Sequence, residues 1–154
     1  MGFFGSNIQE AAANKLSRPY YHFNGDASVY PHIQVADNAK FDFGTRNFSF
    51  ECSFKPHELG RVQRLGKHYN GTGWIVAILA DNKINYWQRS ESPDVQTYEH
   101  TSTATITVDE WHHLVVSVNR FGNVSIYING VLDSAGSIAA GRARTINDDG
   151  NLLL

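Results

Sequence analysis

The chain has 154 residues, of which 18% are charged and 12% aromatic, with a formal net charge of −2. That length suits one domain with one core and leaves no room for a second beside it. The charge gives no electrostatic case for nucleic acid or an anionic membrane, no apolar run is long enough to span a bilayer, and the single cysteine, Cys52, excludes an intrachain disulfide.

Taken from the N-terminus, residues 1–18 stand apart. Ile8-Gln9-Glu10-Ala11-Ala12-Ala13-Asn14-Lys15-Leu16 is rich in helix formers, and Ser6 or Asn7 is placed to cap it, so a short helical tail is expected. A helix that short is marginal alone and needs something to pack on. Two roles stand side by side, an ordered tail and an anchor to a larger assembly. Met1-Gly2-Phe3-Phe4-Gly5 has no basic region and Ser6 to Asn14 is too polar for a leader core, so no signal peptide is expected.

From Pro19 to Leu154 nearly every segment reads as strand or turn. Expected strands are 20–23, 32–35, 48–55, 61–67, 74–79, 83–88, 96–100, 103–108, 112–119, 124–128, 131–137 and a last apolar one at 151–154. Turn signals fall between them at Asn24-Gly25, Asn70-Gly71, Asp81-Asn82, Ser92-Pro93-Asp94, Gly122-Asn123 and Asn129-Gly130. In 48–55, Phe48, Phe50, Cys52 and Phe54 alternate with Ser49, Glu51, Ser53 and Lys55, which sends the thiol inward as a structural group. In 112–128, Leu114, Val116 and Val118 share one face, and Val124, Ile126 and Ile128 repeat that period after the Phe121-Gly122-Asn123 turn. Many short, regularly spaced strands predict an antiparallel two-sheet sandwich.

Three segments carry a family likeness: Trp111-His112-His113 followed by Tyr127-Ile128-Asn129-Gly130, Tyr21-His22-Phe23-Asn24-Gly25, and Phe48 through Lys55-Pro56. Together they resemble the laminin-G-like, concanavalin A-like jelly-roll family across residues 19–154. The resemblance implies an all-β jelly roll with Trp111 buried, preceded here by the helical tail. Relatives usually continue past a strand like Asn151-Leu152-Leu153-Leu154 into a glycine turn and a further strand. An unpaired edge is therefore expected at Leu152 to Leu154, explained by truncation or by a strand from another chain.

Enzymes of this fold that cleave glucans share a Glu-x-Asp-x-x-Glu strand, and no such spacing occurs here. A pair such as Glu51 and Glu99 is a remote substitute, so the chain is expected to be non-catalytic. His112 and His113 are adjacent on a strand and point to opposite faces, which argues against a shared transition metal. The resemblance makes calcium the credible ion, with Asp26 and Asn24 as ligands and Asp148-Asp149 as helpers; turn chemistry is the competing explanation of Asn24 and Asp26. For a ligand, strand 83–89 sets Asn85, Trp87 and Arg89 beside Lys83 on one side, where an indole stacks on a sugar ring and planar donors hold its hydroxyls. His68 and Tyr69 are expected to contribute from the rim, unless Trp87 packs beneath a covering loop.

The expected function is a recognition or structural module that binds carbohydrate or a protein surface. The tail, the missing leader and the Leu152 to Leu154 edge together suggest contact with other subunits of a larger particle, such as a bacteriophage virion. The rival is a purely architectural, subunit-cementing protein.

Overall fold

The structure, a computed structural model, describes residues 8–10, 21–23, 31–91, 95–138 and 145–154. It divides into two compact units, Met1–Ile33 and Gln34–Leu154. In the first, β1 (Ile8–Glu10) and β2 (Tyr21–Phe23) form an antiparallel ladder with Ile8 opposite Phe23 and Glu10 opposite Tyr21. Where helix propensity predicted a helix, these three described residues are extended instead. Pairing along a neighbouring strand supplies the backbone partners that so short a helix would have to find within itself. The rest of the expected helix lies outside the described residues.

The second unit holds β3 (Gln34–Val35), β4 (Phe48–Phe54), β5 (Gln63–Tyr69), β6 (Gly73–Ile78), β7 (Lys83–Arg89), β8 (Thr97–Thr105), β9 (His112–Val118), β10 (Asn123–Ile128), β11 (Val131–Ser137) and β12 (Leu152–Leu153). Four strands lie in the order β11-β10-β9-β4 and six in the order β3-β12-β5-β6-β7-β8. Every ladder is antiparallel. The all-β, two-sheet sandwich read from the alternation is the fold.

The core is built from the inward rows of both sheets. Phe50, Leu114, Val116, Val118, Val124 and Ile126 from the four-stranded sheet meet Trp74, Val76, Ile78, Ile84 and Tyr86 from the six-stranded one, all buried. The aromatic rings interlock at short range, with Phe50 at 5.7 Å and Phe48 at 5.8 Å from Trp74. Gly66 makes that possible, because a Cβ there would run into the Phe50 ring. Cys52 packs against this core, and burial together with the neighbouring Glu51 charge pushes its thiol up to about 12.

The structure departs from expectation at three further places. The strands expected at 96–100 and 103–108 are one strand, β8, continuous through a bulge opposite Ile84. Ser102 enables this: its hydroxyl accepts the Ile84 N–H at 2.9 Å and donates to the Ala104 carbonyl at 2.7 Å, standing in for the broken ladder. Asp133 of β11 then accepts the bulge N–H groups of Thr103 and Ala104 at 2.7 and 2.8 Å, fastening the edges of the two sheets together. Second, β12 is no open edge. Leu152 pairs with Val35 and Leu153 with both Gln34 and Lys67, so the strand is interior to its sheet. Third, Trp111 is 43% exposed rather than buried. The next residue, His112, takes the inward place, held at 3.0 Å from the Thr107 carbonyl and 5.6 Å from the Phe54 ring.

Candidate ligand-binding face

Strand alternation splits β7 into two sets. Ile84, Tyr86 and Gln88 point into the sandwich and are fully buried, while Lys83, Asn85, Trp87 and Arg89 point outward. Register carries the outward set across the sheet. Trp87 stands between Glu99 of β8 and Ile75 of β6, with Lys67 of β5 next in that row. Arg89 shares its row with Gly73 and Tyr69, and Asn85 shares its row with Ala77 and Arg64.

Gly73 brings two of these side chains together. It sits at φ +107°, where a Cβ would collide with the His68 carbonyl, so the β5–β6 turn requires glycine there. The position between Tyr69 and Arg89 consequently has no side chain. Tyr69 meets Trp87 edge to face, with centroids 5.0 Å apart and planes at 85°, and Lys67 Nζ lies 5.9 Å from the Tyr69 ring centre. Both rings are only half-buried.

The five side chains expected to share a ligand do not all present themselves on one face. Trp87, Arg89 and Tyr69 lie on this outer face. His68, one residue before Tyr69, points the other way and is fully buried, its Nε2 3.5 Å from Asp37 and its ring 5.9 Å from Phe41. Period-two alternation forbids neighbouring residues from facing the same way. Asn85 is on the correct face but is only 5% exposed. Its amide donates to Glu99 at 2.8 Å and to Thr101 at 3.1 Å, so it holds the Glu99 carboxylate in place and presents little of itself.

Asn24 and Asp26, the expected calcium ligands, lie outside the described residues. Among the described residues, no group of three or more His, Cys, Asp or Glu side chains is arranged to hold a metal ion. The other expected helpers, Asp148 and Asp149, join Asp37, Asp42 and Glu91 around a cleft of about 350 Å³. There the nearly buried Asp148 carboxylate accepts the N–H groups of Asn70 and Gly150, while Asn147 accepts the Gly44 N–H at 2.8 Å. The Asn70 bond pins the loop before β12 against the β5–β6 turn, and the Gly44 bond ties it to the segment before β4.

A second polar group left no mark in the sequence. Arg120, in the β9–β10 turn, is fully buried; its Nη1 donates to Gln88 Oε1 at 2.5 Å, and the Tyr86 hydroxyl donates to the same oxygen at 2.7 Å. Burial lowers the affinity of the guanidinium for its proton, with the Tyr86 charge acting the other way, and burial raises the Tyr86 hydroxyl. Arg120 thereby ties the two layers together. Nothing in Asn119-Arg120-Phe121-Gly122 distinguishes it from an exposed turn residue.

Glu51 and Glu99, the remote substitutes for a hydrolytic pair, are badly placed for that chemistry. Glu51 lies on the outer face of the four-stranded sheet, 2.9 Å from His113, and Glu99 on the outer face of the other sheet. Two such groups cannot flank one glycosidic bond.

Comparison with known proteins agrees with this architecture. Among solved structures, the chain is similar to the binding domain of Paraclostridial Mosquitocidal Protein 1, at 17% identity and a TM-score of 0.74, over 96% of this chain and 37% of that one. It is similar to the botulinum neurotoxin serotype G binding domain, at 18% identity and 0.71, over 97% and 37%. The binding domain of botulinum neurotoxin DC, in complex with rat synaptotagmin II, gives 17% identity and 0.56, over 96% and 36%. The chain therefore spans little more than a third of these structures, and at such identities the likeness is one of fold. No curated protein sequence matches. A family model for laminin G, described as the concanavalin A-like lectin/glucanases superfamily, matches residues 26–154, and the chain belongs to that family.

Proposed function

We propose that this domain is a non-catalytic recognition module that takes carbohydrate on the outer face of its six-stranded sheet. The observation that carries the reading is the half-exposed Tyr69–Trp87 pair, which the fold does not need for its core and which Arg89 and Lys67 flank. An aromatic surface supplies apolar contact to a sugar ring, and planar or charged donors orient its hydroxyls. Support also comes from structures of like fold, which belong to binding domains; one is held with synaptotagmin II, and cell entry of botulinum neurotoxin type C depends on two ganglioside molecules. The particle reading loses one of its supports, because Leu152–Leu153 already lies between β3 and β5.

The test is Trp87→Ala on a glycan array and by titration calorimetry against any glycan the native chain binds. Affinity is expected to fall about tenfold or more, in line with the loss of one stacking ring. Binding that survives the substitution unchanged removes this face from consideration.

A further inference from the structure

The net charge of −2 conceals an uneven distribution. The outer face of the six-stranded sheet carries Arg64, Lys67, Lys83 and Arg89, placed in adjoining rows by the register of β5, β6 and β7. Among the described residues the one carboxylate on those rows is Glu99, which keeps its charge while its Oε1 accepts the Asn85 amide. None of the four cations makes an ion pair among the described residues. Five acidic side chains, Asp37, Asp42, Glu91, Asp148 and Asp149, line a cleft of their own.

We infer that the ligand of this face is a carboxylated sugar, a uronic or sialic acid residue within a short oligosaccharide. The inference rests on the sugar-face reading and names the class of sugar. Lys67 lies beside Tyr69, Tyr69 meets Trp87, and Arg89 stands one alternate position along from Trp87, so a ring stacked on the indole has Arg89 along the strand and Lys67 across the sheet, with Glu99 on the side away from Lys67. From Lys83 to Arg89 the face runs roughly 20 Å along the strand and about 10 Å across to β5, the footprint of a few sugar rings. Arg89 presents a planar fork that matches a carboxylate in two-point contact, and Lys67 a compact charge. A neutral glycan would leave four cations on this face against the single carboxylate of Glu99. Crowding like charges on a half-buried surface is unfavourable, and an anionic ligand relieves it.

The experiment uses the full chain and two matched probe pairs, oligogalacturonate and sialyllactose, each against its own methyl ester, which keeps the ring and removes the charge. At low salt at least one acid is expected to bind about tenfold more tightly than its ester, with the preference shrinking as salt shortens the screening length below about 8 Å. The Lys67→Gln, Arg89→Gln double variant is expected to abolish the preference while leaving the melting temperature unchanged, since both residues point outward. Equal affinity for acid and ester overturns the carboxylate assignment and leaves the sugar face standing, provided Trp87→Ala still weakens both. An acid preference that persists in the double variant also overturns the assignment, because the anion then sits elsewhere. No binding to any of the four probes overturns the assignment and the reading beneath it together.

Discussion

The inward and outward rows of the six-stranded sheet come from the same strands, yet obey different rules. Inward, His68, Trp74, Val76, Tyr86 and Gln88 are buried, Trp74, Tyr86 and Gln88 against groups from the other layer and His68 against Asp37 and Phe41. Outward, Lys67, Tyr69, Trp87 and Arg89 are constrained only by solvent and by one another. The outer face of the four-stranded sheet differs: Ser49, Ser53, Ser117 and Ser125 with the exposed Glu51–His113 pair border a row of Val115, Tyr127 and Leu132, and its strands carry no lysine or arginine. Two indifferent surfaces would look alike. A binding role for one of them accounts for its basic residues and its Tyr69–Trp87 ring pair.

The largest effects should come from damaging the inward row. Tyr86→Ala removes a fully buried ring and one of the donors to Gln88, and is expected to cost about 3–5 kcal/mol in urea unfolding. A cost below about 1 kcal/mol would show that this row is less constrained than its burial implies. Gly66→Ala drives a methyl group into Phe50 and should cost about 1–3 kcal/mol, whereas Ala at an open glycine such as Gly60 meets no neighbour. At Gly60 the penalty arises from the φ of +83° alone, expected near about 1 kcal/mol.

Ionisation tests the same boundary. Burial lowers His100 from its ordinary value, and the nearby Asp133 opposes the shift. The unfolded chain then takes up the proton more readily, so stability should fall as pH drops through about 6.5 and hold above it. His100→Gln is expected to flatten that slope in a series of melts; an identical slope in the variant would place the titrating group elsewhere. Cys52, with its thiol pushed up to about 12, should resist iodoacetamide at about pH 8 until denaturant is added.

The smallest effect is expected on the plain surface. Glu51→Gln breaks a solvent-exposed pair with His113 and should change stability by less than about 0.5 kcal/mol, with glycan binding untouched. If this substitution weakened binding as much as Trp87→Ala, the contrast between the two outer faces would collapse.

Alternation is a local property, so the period-two rows in 48–54, 83–89 and 112–128 assign inward and outward side chains before any strand is paired. They send Cys52 inward and put Trp87 and Arg89 on the same side. The same rule separates His68 from Tyr69, although both were expected at one rim. Alternation carries no information about the identity of each strand's neighbour, because pairing joins residues far apart in the chain and leaves no local mark. So Leu152–Leu153 lies between β3 and β5, Asp133 caps a bulge at Thr103, and Arg120 reaches from a turn to Gln88 in the opposite sheet. Half of the basic face was hidden for the same reason: alternation puts Lys83 and Arg89 on one side, but only strand register adds Arg64 and Lys67 to them.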